Sequence, residues 1–115
     1  EITTRKDYIS KFKNNKIIAF AGIAHPDNFF NFLIKNGINL IEKIYFSDHY
    51  KYSRQEIKEI IKKSSIKKAI PLTTKKDYVK IPKDLKKSFS ILDIHIKFEN
   101  KSFFKFLNKK IELSV

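Results

Sequence analysis

The spacing of apolar and polar positions along this 115-residue chain changes from one run to the next, and each change marks an element. "NKIIAFAGI", Asn15 to Ile23, is a short continuous apolar run, the pattern of a strand buried on both faces. Pro26 then stands at an expected first helical position with Asp27 in the first turn, and Phe29, Phe30, Leu33 and Ile34 recur at helical spacing. Gly37 stops that helix, as a glycine just past a helix end commonly does. "INLIEKIYFS", Ile38 to Ser47, contains a second strand. Ser53, with Glu56 three residues on, has the spacing of a capping box, and Ile57, Ile60 and Ile61 supply the buried face of the helix it opens. "KKAIPLTT", Lys67 to Thr74, reads as a third strand, in which Pro71 lacks an N–H and points to an edge or a strand end. Thr74 and Asp77 fit the cap of a short helical turn.

"KIPKDLKKS", Lys80 to Ser88, has the composition of a connector. In "FSILDIHIKFE", Phe89 to Glu99, the apolar Phe89, Ile91, Ile94, Ile96 and Phe98 are interleaved later in the run with Asp93, His95 and Lys97, which predicts a fourth strand. From Ser102 to about Leu113 the spacing of Phe103, Phe106, Leu107 and Ile111 predicts a last helix. The order β-α-β-α-β-(turn)-β-α predicts an α/β fold: a mostly parallel sheet of about four strands, with flanking helices in a Rossmann-like three-layer arrangement. In such sheets the loops leaving the carboxyl ends of the strands share one edge, where ligands usually bind. Three loops qualify: "GIAHPD" at Gly22 to Asp27, "SDHYKYS" at Ser47 to Ser53 and "LTTKKD" at Leu72 to Asp77.

Composition narrows the picture. A chain this short has room for one domain with a single modest core, and 42% hydrophobic residues with 11 Phe are enough to fill it. The formal charge of +13 suits a nucleic-acid or anionic membrane surface. Lysine, isoleucine, asparagine, phenylalanine and tyrosine all have A/T-rich codons, however, so genome bias accounts for the same composition, and solvated lysines are favoured over a dedicated nucleic-acid surface. No cysteine means no disulfide framework, which fits a reducing compartment. No run approaches the ~20 apolar residues of a membrane span, and no signal-peptide pattern is present. The sequence starts at Glu1 and contains no Met, so a trimmed chain or a piece of a longer one is expected.

Asp48 and His49 are the sharpest pair on the predicted edge. Imidazole titrates near neutrality, and a carboxylate beside it can orient it or raise its basicity. Adjacent residues in extended backbone point opposite ways, so the two become partners only if the chain turns there; otherwise His49 is a loop residue in solvent and Asp48 a turn cap. His25, Asp48 and His49 are also a possible ligand set for a metal, but their spacing does not demand one and no metal site is expected. Lys75 and Lys76 near Thr74 suit a phosphate at a helix start, or simply a capped turn with two solvated lysines. The two glycines, Gly22 and Gly37, rule out both GxGxxG and GxxxxGK(S/T) cradles in this chain. His95, within a strand alternation, reads as structural or solvent-facing.

"AFAGIAHPDNFF" at Ala19 to Phe30, "FSDHYKYS" at Phe46 to Ser53 and "LTTKKDYVK" at Leu72 to Lys80 resemble, in this order and at about this spacing, the C-terminal part of bacterial tetraacyldisaccharide 4'-kinases. That lipid A kinase family usually shows AFAGIGNPxxFF, FxDHHxY(S/T) and LTTEKDxVK, and the likeness runs from about Ile17 to Ile96. The resemblance implies an ATP-dependent kinase that phosphorylates the 4'-hydroxyl of a tetraacyldisaccharide 1-phosphate at the cytoplasmic side of the inner membrane. It also implies a single domain over residues 1–115 that is the C-terminal part of a two-domain enzyme, whose N-terminal P-loop domain holds ATP and Mg²⁺. By motif, Asp48 and His49 match the DH of FxDHH, with His49 supporting an acidic base on the other domain. Lys76 and Asp77 match the KD of the last motif, with a role in cleft electrostatics or domain docking, and His25 lies in the same cleft where Asn is usual. Tyr50 replaces the second His and Lys75 the usual Glu. The implied partners are the P-loop domain, the anionic glycolipid and the membrane surface, and nucleic acid is not expected. Alone, the chain is expected to be inactive. The alternative is a basic module that docks on nucleic acid or on an anionic membrane.

Overall fold

The structure, a computed structural model, describes residues 2–3, 10, 12–92 and 95–96. Among these, β1 is Ile2–Thr3, β2 Lys16–Ala21, α1 Pro26–Lys35, β3 Asn39–Tyr45, α2 Arg54–Lys67, β4 Ala69–Thr74, α3 Lys75–Tyr78, β5 Ser90–Leu92 and β6 His95–Ile96, with a 3-10 helix at Lys83–Ser88 before β5. Strands β3-β2-β4-β5 form a four-stranded sheet in that order, every neighbouring pair parallel. With helices on both faces this is the expected three-layer α/β arrangement. β1 and β6 make a separate antiparallel pair.

Alternate residues of β2 feed two cores. Ile17, Ala19 and Ala21 join Phe12 and, from α1, Phe29, Phe30 and Leu33. Phe20 turns the other way, to Ile57 and Ile60 of α2, Ile81 and Phe89. Phe20 is fully enclosed and meets Phe46, Tyr52 and Phe89 edge-on at centroid separations of 6.1, 5.5 and 5.6 Å, the arrangement that aromatic quadrupoles favour. Burial of one such ring contributes roughly 1.5–3 kcal/mol.

Helix ends follow from the sequence. Pro26 occupies the first turn of α1, where its missing N–H costs nothing. At the other end Gly37 has φ 80°, its N–H donates to Ile34 O at 3.0 Å and the Ile38 N–H to Leu33 O at 3.0 Å. Those two bonds are a Schellman motif, and the positive φ explains the glycine. Ser53 and Glu56 form the reciprocal capping box of α2. Thr74 caps α3 by accepting the Asp77 N–H.

Four expectations are corrected. Ile34 is half exposed, because α1 has only its Phe29–Phe30–Leu33 side against the sheet. Pro71 lies in an internal strand. β5 pairs with β4 only from Leu72 onward, so at the level of Pro71 the strand has a ladder partner on the β2 side alone, and a residue without an N–H is accommodated. The connector contains the 3-10 helix, whose Leu85 packs on the Phe20 core. The fourth strand reaches only Leu92, while His95–Ile96 belongs to the other sheet, and Leu92 is its buried residue. The last predicted helix, Ser102 to Leu113, lies outside the described residues.

Ser53→Ala removes the oxygen that accepts the Glu56 N–H. It is expected to lower the unfolding free energy by about 1 kcal/mol, read from the denaturation midpoint.

Candidate functional site

β2, β3 and β4 run in one direction, so the loops that follow them share the carboxyl edge of the sheet. The chain passes from β2 outward to β3 and then returns across β2 to β4, placing the reversal of winding between β2 and β4. Open α/β sheets usually hold ligands in the crevice at that point. Here the protein fills it with its own carboxylate. The Asp77 side chain has 0% exposure. Its Oδ1 accepts the Gly22 N–H at 3.0 Å and the Tyr52 O–H at 2.8 Å, and its Oδ2 accepts the Thr74 hydroxyl at 2.6 Å. The Lys80 ammonium stands 3.9 Å from Oδ1 and donates to Tyr50 O at 3.4 Å. A buried carboxylate without partners would be prohibitive, and these donors are what make it tenable.

Gly22 sits in a tight place on this edge. A Cβ there would lie 2.9 Å from Ser47 O, 3.1 Å from the Tyr52 hydroxyl and 3.3 Å from Asp77 Oδ1. Tyr52, packed edge-on against Phe20 and Phe46, has its phenol pushed well above the usual tyrosine range, first by burial and then by the Asp77 charge.

Asp48 and His49 come next along the edge. The Phe46 N–H donates to Ala21 O at 3.0 Å, the His49 N–H to Gly22 O at 3.2 Å and the Tyr50 N–H to Ser47 O at 3.1 Å. The chain therefore turns here, with His49 in the left-handed region at φ 61°. That turn brings the neighbours together: His49 Nε2 lies 3.6 Å from Asp48 Oδ2. The separation is too long for a hydrogen bond, but it is an ion-pair distance once the imidazole is protonated. The imidazole is 86% exposed, so it stands clear of the surface and is available to a group arriving from outside.

Tyr50 points the other way. Its ring lies against Phe46 at 4.8 Å and its hydroxyl donates to Glu56 Oε2, while Glu56 Oε1 accepts the Ser53 N–H at 2.9 Å. These bonds hold the Glu56 carboxyl below its usual range, the Ser53 N–H foremost, and the bond to Glu56 raises the Tyr50 phenol. Lys76 is exposed on α3. His25 is exposed at the α1 N-cap position, where its side chain caps nothing and its carbonyl accepts the Asn28 N–H at 3.1 Å. Among the described residues no three His, Cys, Asp or Glu side chains gather as a metal site, and no helix is long and apolar enough to cross a membrane.

The three loops thus converge, with one ionisable pair outside and one carboxylate inside. The sequence profile of the tetraacyldisaccharide-1-P 4'-kinase family matches residues 2–112. This chain belongs to that family. It is similar to the tetraacyldisaccharide 4'-kinases of Rhodospirillum rubrum, 31% identical over 78% of this chain, and Rickettsia bellii, 34% identical over 76%. With that of Rickettsia canadensis it shares 35% identity over 90% of its length. The matched parts cover only 27%, 27% and 30% of those relatives, so the chain spans less than a third of a full-length member. No solved structure matches it significantly.

Reasoning from sequence missed Tyr52 and Lys80 as partners of Asp77. The i,i+3 spacing of Asp77 and Lys80 is a usable signal for the second; nothing in the sequence signals the first, since the two residues are 25 apart.

Gly22→Ala forces its Cβ against the Ser47 carbonyl and is expected to destabilise the fold by about 1–3 kcal/mol in chemical denaturation. The raised Tyr52 phenol gives a second expectation. The folded chain holds that proton more tightly than the unfolded one, so the associated stability is present below the ordinary tyrosine pKa of about 10 and is lost as pH rises beyond it. An alkaline titration of tyrosinate absorbance should show a late-ionising phenol that disappears in Tyr52→Phe.

Proposed function

We propose that residues 1–115 form one α/β domain from the C-terminal part of a lipid A biosynthesis kinase. The whole enzyme transfers the γ-phosphate of ATP to the 4'-hydroxyl of a tetraacyldisaccharide 1-phosphate. The observation that carries the reading is the Asp48–His49 pair, exposed on the carboxyl edge of a parallel sheet in a chain of this kinase family.

The residues present do not fit a nucleotide. With two glycines the chain cannot build a GxxxxGK(S/T) cradle, and the crevice between β2 and β4 is occupied by Asp77. ATP and Mg²⁺ belong, on this reading, to an N-terminal P-loop domain of the same polypeptide, and this domain is the facing wall of the cleft. Its contribution is made by His49. Phosphoryl transfer depends mostly on positioning and charge stabilisation. A projecting imidazole can orient the 4'-hydroxyl and help an acidic base across the cleft to take its proton as the oxygen bonds to phosphorus. Asp48 stands beside it, its Oδ2 3.6 Å from His49 Nε2. Lys76 and His25, both exposed, add to the cleft wall, and Lys76 contributes positive charge where an anionic glycolipid approaches. The enzyme would work as a peripheral protein on the cytoplasmic side of the inner membrane, where that lipid resides.

The purified 115-residue chain is expected to show neither ATP hydrolysis nor lipid phosphorylation. In the full-length enzyme, His49→Ala should lower kcat by about 10²-fold and leave the KM for ATP within about twofold, as measured by steady-state kinetics with the tetraacyldisaccharide acceptor. An unchanged kcat would make His49 a bystander.

A further inference from the structure

We propose that Asp77 is a positioning residue for His49, acting through the Gly22 peptide and never touching substrate. This rests on the reading of His49 given above, and it assigns Asp77 a different task from cleft electrostatics, which a fully enclosed carboxylate is badly placed to perform.

Gly22 is bonded at both ends. Its N–H donates to Asp77 Oδ1 at 3.0 Å, and its carbonyl accepts the His49 N–H at 3.2 Å. Two residues 28 apart in sequence are therefore joined through one glycine that has no slack, since Ser47 O lies 2.9 Å from where its Cβ would be. The same Oδ1 also holds Tyr52, so the loop that carries His49 is secured to one oxygen at its far end as well. His49 needs such a hold. Its φ of 61° is a conformation that a non-glycine residue keeps only when its surroundings impose it, and its 86% exposed imidazole is fixed by no packing. Where the backbone places it, the imidazole meets its target, and a displacement of about 1 Å can cost on the order of 10²-fold in rate.

The test uses the full-length enzyme and two readouts, hydrogen exchange at the His49 amide and kcat. Asp77→Ala is expected to speed that exchange and to lower kcat by roughly tenfold or more with the KM for ATP within about twofold, while Asp77→Asn, whose Oδ1 still accepts from Gly22, recovers most of both. Combined with His49→Ala, Asp77→Ala should add less than about twofold, because the group it positions is already gone. Unchanged exchange at His49 in Asp77→Ala, or losses that multiply in the double variant, would overturn the proposal. If Asp77→Ala does not fold, Tyr52→Phe, which deletes one bond to the carboxylate and keeps the ring, carries the same test with a loss of about two- to fivefold. If His49→Ala alone leaves kcat unchanged, the catalytic reading of His49 fails, and the exchange measurement still decides whether Asp77 holds the loop.

Discussion

A carboxylate with no exposure to water governs the carboxyl edge of this sheet. Asp77 accepts from a backbone amide after β2, a phenol after β3 and the hydroxyl that ends β4, with an ammonium 3.9 Å away. Gly22 and Tyr52 come from the other two loops, while Thr74 is local to Asp77 as the cap of α3. The cost of burying the charge is met only when all three loops are docked, so the edge is assembled as a unit. The arrangement also fills the crevice at the reversal of winding with a carboxylate and leaves Asp48 and His49 as the exposed ionisable pair on this edge.

The other described carboxylates show a related economy. With 25 lysines and arginines against 12 acids, an acid is scarce in this chain and several of them join separate elements. Asp27 of α1 accepts the Tyr45 hydroxyl of β3 at 2.6 Å, Glu42 of β3 accepts Lys63 of α2 at 2.7 Å, and Asp84 of the 3-10 helix takes Arg54 of α2. Glu42 also has Lys67 at 3.6 Å, and its carboxyl is held below the usual range chiefly by the Lys63 hydrogen bond. Such half-exposed pairs contribute little individually.

Most of the architecture was legible because local signals agree with the fold. The apolar run of β2, the glycine after α1 and the Ser53–Glu56 box each specify one outcome. The missing N–H of Pro71 marks a level with a ladder partner on one side only, and it lies in an internal strand because β5 joins β4 only from Leu72 onward. The Ile34 expectation failed because periodicity gives the width of an apolar stripe and says nothing of how much of it the sheet can cover. On the carboxyl edge, Asp48 and His49 are legible as adjacent ionisable residues. Their geometry is not, since a left-handed histidine depends on Gly22 and Asp77, residues remote in sequence. Enclosure of Asp77 was equally hidden: the motif names the residue, and only the packing of three loops removes it from water.

The register of β3 against β2 slips by one residue, Leu40 pairing with Ile17 and Glu42 with Ile18, so that Ile41 is left over. Parity along the strand therefore inverts at that point. Leu40 and Ile44, four apart and nominally on one side, enter opposite cores. With the supernumerary residue, Leu40 before the slip lies on the α1 side, Glu42 and Ile44 after it on the α2 side, and Tyr45 at the strand end returns to Phe30 and Asp27 of α1. Drawing Ile41 back into line would restore even pairing, but it would also turn Glu42 away from Lys63 and carry the chain into the loop of Asp48 and His49 on the wrong foot.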